Sequence, residues 1–527
     1  MTLLPPTDLK DYEIDPITGF LPSPPPLRRL PKEFEQWETI LDSFQAYILS
    51  VRIRLAVKQL PILSVDSLKT IPELRRAYVV LSFIAHAYMY GVMGSDSPDP
   101  ILPASLAIPW FEVAKRLEVK PVSSYTNTVL WNWRLLDESG PMDLSNFATL
   151  HTFSGAFDEA WFYLVPATIE IKGAPILAAV LKAQRAILES NTEEVLNCLT
   201  LSKECIENMT VELKRMYEKC DPGVFWNRVR PFSGGSKNSP IFPNGLFYEG
   251  VLEDDGHINV NGPETGKVGT WRMYAGASAG QSPLIHSIDC AFSIEHLPTA
   301  KQCPLGSAAS MLSLEYLEFE PSSPTVLLTP KDGSFVLPVT QAPVTCPVSG
   351  VAASADSPGC PISKRKSPSV PDFSEPRKRS NSDLAVDSKL ENIKKPSNPD
   401  LTVELKFGIK KPTWNNAMLE MREAMPKKFQ QFLIDLSNGP SIREFCEKSN
   451  PNVVNHFNEV LLAMKRFRDI HLQIVTKYII LQSKKSAVAS VDTGGSSPAV
   501  GTGGTDLVPF LKQVRNETKN AQIPVRL

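Results

Sequence analysis

One histidine interrupts an otherwise apolar helical stripe near the C-terminal end of this chain. Between Asn450 and Ser483, apolar side chains recur at Val454, Phe457, Val460, Leu461, Met464, Phe467, Ile474, Val475, Tyr478 and Ile479. That is the 3.6-residue period of a helix with one buried face. Position 471, four after Phe467 and three before Ile474, is His. Two chemistries fit a histidine so placed. A neutral ring can hydrogen-bond a backbone carbonyl in the core, or it can act as axial ligand to a metal, as imidazoles on rigid helices do for haem iron. Arg468, one turn back on nearly the same side, could reach a haem propionate. Periodicity alone leaves both readings of His471 open.

Other residues could also carry chemistry. In PGVFWNRVRPFSGG (Pro222–Gly235), Phe225 precedes Arg230, which could equally be one of three surface cations with Arg228 and Lys237. GASAGQSP (Gly276–Pro283) looks at first like a phosphate loop, but it lacks the Gly-Lys-Ser/Thr ending and follows no convincing strand. Its small residues instead allow backbone to approach a flat ligand closely. Ser282-Pro283 should then start a helix through PLIHSIDCAFSIEHL, with Asp289 available as a charged partner. His286 on that segment reads as structural. Three Cys-Pro-aliphatic tripeptides, at Cys303, Cys346 and Cys360, resemble haem regulatory motifs, or are incidental in a Pro-rich stretch.

Composition narrows the class. The chain of 527 residues is 42% hydrophobic and 21% charged, globular values that allow two or three domains. A net charge of −2 argues against a nucleic-acid binder driven by bulk positive charge. No run of eighteen apolar residues suggests a membrane span, and MTLLPPTDLKDYEID is unlike a signal peptide. Eight cysteines without a CxxC pair fit neither a zinc site nor a disulfide framework. A cytoplasmic monomer is the expectation, with no nucleic-acid or membrane partner.

The elements that must position these residues read as all-α. Residues 1–33 form a Pro-rich arm expected to drape over the surface, followed by a small helical domain over 34–140 with helices near 34–58, 66–92 and 108–117. A larger helical domain spans 141–300 and 406–483, opening with two or three helices. Between its halves, 301–405 is rich in Ser, Pro, Lys and Ala, and aromatics nearly vanish after Phe335. Such a stretch buries too little to offset its ordering entropy and should be largely disordered. KRK (364–366) and RKR (377–379) within it read as solvated charge runs or a nuclear signal. Residues 484–527 comprise a Gly/Ser/Thr loop and a final helix, DLVPFLKQVRNETKN.

A resemblance joins these fragments. The run Arg468-Asp-Ile-His-Leu-Gln-Ile-Val-Thr-Lys-Tyr-Ile-Ile480 closely resembles the proximal helix of indoleamine 2,3-dioxygenases. AYMYG (Ala87–Gly91), LPASLAIP (Leu102–Pro109) and YTNTVLWNW (Tyr125–Trp133) resemble that family's small domain, and FYLVPATIEIKGAPIL (Phe162–Leu177) its distal-side helix. Position 166 is Pro where some members carry Ser, so no hydroxyl is needed there. NGLFYEGV (Asn244–Val251) and MREAMPKKFQQFLIDLSNGPSIREFC (Met421–Cys446) continue the match, while 300–405 reads as an insertion.

The resemblance implies a small helical domain capping a larger one that holds haem b. It implies insertion of O2 across the indole C2–C3 bond of L-tryptophan to give N-formylkynurenine, toward NAD, with an electron donor keeping iron ferrous. His471 is then the proximal iron ligand, with Arg468, Asp289, Gly276 and Gly280 near the haem. Phe162, Phe225 and Tyr125 wall the indole, and Arg230 binds the substrate carboxylate. Ser278, Ala279 and Thr502 supply polar contacts, Thr502 from Gly501–Thr505, which matches a loop that closes over the site. No protein general base is expected. The other reading is a non-catalytic haem protein on the same scaffold, an O2 carrier or haem sensor, which would have no use for a carboxylate clamp.

Overall fold

The helix announced by the apolar stripe is present and its stripe is buried in the core. A computed structural model describes residues 8–91, 97–252, 259–261, 267–297, 416–489 and 507–525. In it Asn450 caps the helix Pro451–Val475, its side chain accepting from the amides of Asn452 and Val453 at 3.0 and 3.2 Å. Pro451 takes the first position, where its missing N–H has no helical partner to lose. Every apolar residue of the stripe is buried except Ile479, which is half-buried. The rod continues past Val475 through a widened π turn, Thr476–Ile480, and the helix Leu481–Ala489.

Four long helices lie side by side in the order Phe157–Leu188, Thr192–Lys214, Pro451–Val475, Leu507–Asn520. Phe157–Leu188 carries two internal prolines, Pro166 and Pro175, each removing one helical hydrogen bond. It is long and apolar enough to cross a membrane, yet 78% of its apolar window is buried inside the protein, as a central core helix should be. Gly173 lets a neighbour approach it closely, since a Cβ there would run into Leu284 of the helix Pro283–Ala291.

The all-α expectation holds, with local differences. The expected helix 34–58 is three short ones, Glu35–Asp42, Phe44–Leu49 and Ile53–Lys58, broken where Val51 takes a positive φ. Ile71–Tyr90 starts one residue after a Thr70–Glu73 capping box, and Ala104–Arg116 follows. The helix expected from Pro283 stops at Ala291, just before Ser293 with φ +52°. A small sheet, unforeseen, runs in the order Ile101–Leu102, Leu246–Glu249, Val268–Arg272, Asn259–Asn261. Its first pair is parallel and the others antiparallel, and Trp133–Leu135 and Phe147–Thr149 form a separate ribbon.

The described part of the N-terminal arm does more than drape. Phe20 and Leu21 are fully buried, Phe20 packs edge-on against Phe429 at 4.8 Å, and Tyr12 donates to Asp435 at 2.7 Å. The arm is anchored because it carries its own apolar residues between its prolines. The segment 301–405 and Gly501–Thr505 lie outside the described residues, and with them Thr502, the three Cys-Pro tripeptides and both basic clusters.

Candidate active site

Against the His471 helix lies a cavity of about 180 Å³ walled mainly by apolar side chains. His471 faces it, between Ile474 and Val475 of its own helix and Phe510 and Leu511 of the last one. Three widened π turns occur among the described residues, Thr126–Leu130, Phe225–Val229 and Thr476–Ile480, and each places at least one side chain on this cavity. Such turns re-aim side chains that a regular helix would point elsewhere.

The hydrogen bonds bear on the two readings of His471. His86, His151, His286, His296 and His456 each bond a backbone or side-chain partner. The His471 ring bonds none of the described residues. Burial, and then the nearby Arg468 charge, push its pKa down to about 4, so the ring is neutral and both its nitrogens are uncommitted. A neutral imidazole in that state is a ready metal ligand. Among the described residues no group of three His, Cys, Asp or Glu is arranged to hold a metal ion. An iron on His471 would therefore take its remaining donors from a macrocycle, and the apolar walls suit one. The residues present fit haem.

Part of the cavity wall is aromatic. Phe162 and Phe225 pack with ring centroids 4.5 Å apart, and Phe225 meets Tyr478 edge-on at 5.8 Å. Tyr125 completes this wall, and Ser278, Ala279 and Gly280 border it. Arg230 lines the same cavity, its guanidinium 4.7 Å from the centre of the Trp226 ring, while Arg228 is exposed. Contact with an indole face restricts how a guanidinium can turn, and a guanidinium can bind a carboxylate through two N–H groups. Trp226 is itself fixed by donating to Ser486 at 2.9 Å. Of the residues expected at the site, His471, Phe162, Phe225, Tyr125, Arg230, Ser278, Ala279 and Gly280 thus converge on one cavity.

Three expected members stand elsewhere. The Arg468 guanidinium is spent on Asp289, at 2.6 and 2.7 Å to its two oxygens, and on the Thr518 hydroxyl. Neither Arg468 nor Asp289 lines the cavity; the buried pair ties the His471 helix to the helix Pro283–Ala291. Gly276 does not line the cavity either, and its smallness has a use within the fold. A Cβ there would strike the backbone of Ser233 and Gly235, so the close approach is backbone to backbone.

Sequence reasoning missed the residues that hold the walls in place. Ser123 N donates to His86 Nε2 at 3.0 Å, leaving Nδ1–H to donate to the Phe232 carbonyl at 2.9 Å. One buried ring thereby fixes both the Tyr125 turn and the Arg230 turn. Gln281 accepts from the Tyr125 amide at 2.9 Å and donates to the Gly276 carbonyl at the same distance, locking wall to loop. His286 bonds the Gly280 carbonyl at 2.8 Å and accepts from Arg422 at 3.2 Å, a structural role as expected. The one available signal was the polar residue itself, Gln inside GASAGQSP or His one position before AYMYG.

The model of the indoleamine 2,3-dioxygenase family matches residues 8–335 and 380–521. Similar proteins include an indoleamine 2,3-dioxygenase of Saccharomyces cerevisiae, 28% identical over 97% of this chain and 92% of its own length. Another, from Aspergillus nanangensis, is 27% identical over 98% of this chain and 97% of its own. A 6-hydroxytryptophan 2,3-dioxygenase of Fusarium equiseti is 27% identical over 97% of each chain. The family match reaches further into the segment 301–405 than the quoted motifs do, leaving only residues 336–379 between its two parts.

Proposed function

This chain belongs to the indoleamine 2,3-dioxygenase family, and from that premise we propose that it binds haem b through His471 and cleaves the indole C2–C3 bond of L-tryptophan. Both atoms of O2 enter the product, N-formylkynurenine. Haem, kept ferrous by an electron donor, would supply the redox-active iron for O2 chemistry; the chain's own residues supply position and exclusion of water.

Phe162, Phe225 and Tyr125 offer ring faces and edges that an indole can fill, and the burial of Phe225 and Tyr125 removes water from the reacting ring. Arg230 offers the cation that an α-carboxylate needs, at the rim of that apolar space. Besides tyrosines, Arg230 and His471 are the only ionisable side chains on the described lining. The protein's part in such a site is binding and orientation rather than proton abstraction.

The observation that carries the reading is this coincidence in one cavity, an uncommitted neutral imidazole with an arginine stacked for a carboxylate. An O2 carrier or haem sensor would have no use for the arginine. The test is turnover by the reduced, haem-loaded protein of L-tryptophan against tryptamine, which lacks the carboxylate. Tryptophan should be strongly preferred, and Arg230→Ala should weaken its binding by about 2 kcal/mol while haem content is retained. Equal turnover of the two amines by the parent would refute the clamp.

A further inference from the structure

Four hydroxyl groups on the cavity wall donate away from it. Tyr125 donates to Glu170 at 3.0 Å, Tyr163 to Glu159 at 3.1 Å, Thr128 to the Ser124 carbonyl at 2.8 Å, and Tyr478 to the Cys220 carbonyl at 2.6 Å. None of these four acceptors lines the cavity. Each hydroxyl proton is thus spent outward, and what remains facing the ligand is carbon. Of the polar lining groups, Ser233 lies one turn from Arg230, and the Ser278 oxygen accepts from the Gly280 amide.

The two carboxylates behind the tyrosines differ. Glu159 is saturated, accepting from the amides of Phe153 and Ser154, the Ser154 hydroxyl and Tyr163. Glu170 receives only hydroxyls, Tyr125 at 3.0 Å and Ser282 at 2.5 Å, both on Oε1. Its Oε2 is buried without a hydrogen-bond partner. Burying such an oxygen is costly, and an apolar side chain would pack on that helix at lower cost. What the carboxyl does that Leu could not is accept the Ser282 and Tyr125 hydroxyls, and of these two residues Tyr125 lines the cavity.

We propose that Glu170 is a positioning residue for ring specificity. By holding Tyr125 outward it keeps the indole wall apolar, so the site favours unsubstituted indole over ring-hydroxylated indole. The inference rests on the proposed reaction and names its substrate class. A hydroxyl on the benzo ring would give up water on entering and find no partner, a penalty an apolar pocket can turn into roughly tenfold or greater discrimination.

The experiment compares L-tryptophan with 6-hydroxy-L-tryptophan in the haem-loaded full chain. It measures kcat/KM in air and, by titration calorimetry under argon, Kd. The parent should favour tryptophan roughly tenfold or more in both quantities. Glu170→Gln keeps an acceptor and should keep that ratio. Glu170→Leu frees the Tyr125 hydroxyl and should bring the ratio toward one, and adding Tyr125→Phe to it should restore the preference. A parent ratio near one, or an unchanged ratio in Glu170→Leu, overturns the proposal. Should Glu170→Leu not fold, Tyr125→Phe alone decides: an outward hydroxyl predicts an unchanged ratio, and a tenfold change would show that it already meets the substrate. Failure of the parent to turn over either amino acid would count against the dioxygenase reading, while the Kd ratio would still judge this one.

Discussion

His471 is set apart by what surrounds it. Five other described histidines each bond a backbone or side-chain partner, and this one faces an apolar cavity with both nitrogens uncommitted. His471→Ala should keep the helix, because the stripe around the residue is unchanged, but should purify without stably bound haem and without activity. A full Soret band with normal turnover in that variant would remove His471 from the site. Much of the site was legible in the sequence, because the spacing of the stripe and a few short motifs carry His471, Arg230, Phe225, Phe162 and Tyr125. Glu170, His86 and Gln281 were not, since their roles come from partners 45, 146 and 156 residues away. Nor does helical spacing show the partner of Arg468, since Asp289, which its guanidinium bonds, is 179 residues away.

At the scale of elements, the last helix is joined to the His471 helix by a buried chain of charge. Arg468 bonds Thr518 and Asp289; His296 bridges Asp289 at 3.0 Å and Glu517 at 2.7 Å. Burial opposes every charge here, yet Arg468 and then His296 hold Asp289 well below the usual carboxylate range. Burial likewise opposes the His296 charge, but Asp289 and then Glu517 outweigh it and raise its pKa, the Arg468 charge opposing. Glu517, also against its burial, is lowered chiefly by its bond to His296.

The signs fix the pH dependence of this joint. The raised His296 contributes stability that is complete below its ordinary value of 6.5 and is lost as pH rises through its higher folded value. Asp289 and Glu517 contribute above the ordinary carboxylate values and lose their share as pH falls through the lowered ones. Hydrogen exchange in Leu507–Asn520 should therefore be slowest, after correction for intrinsic rates, between those ranges, with protection falling on the alkaline side. His296→Gln should lower the maximum and flatten the alkaline fall. Identical pH profiles for parent and variant would contradict the assignment. Helix positions were readable because stripe, cap and proline coincide at Asn450–Pro451. The sheet was not, because its parallel pair unites two residues, Ile101 and Leu102, with Phe247 and Tyr248 far along the chain.

For the whole molecule, all-α architecture followed from helical periodicity in nearly every long segment. The packing of the N-terminal arm did not, since Phe20 and Leu21 lie among prolines and have no periodic pattern of their own. Residues 336–379, which fall between the two matched parts of the family, carry Cys346, Cys360 and both basic clusters. Replacing them with a short Gly/Ser linker should leave haem content and turnover intact, because no described cavity residue comes from that stretch. A linker variant that fails to fold would show that the segment packs on the core.

The central claim is that this chain joins both atoms of one O2 molecule to L-tryptophan in a cavity organised by His471 and Arg230. The most direct measurement is turnover of L-tryptophan under oxygen-18 gas by the reduced, haem-loaded protein, with mass spectrometry of the product. The account predicts N-formylkynurenine carrying two oxygen-18 atoms, and no product from His471→Ala. A product with one labelled atom, or undiminished product from His471→Ala, would contradict it.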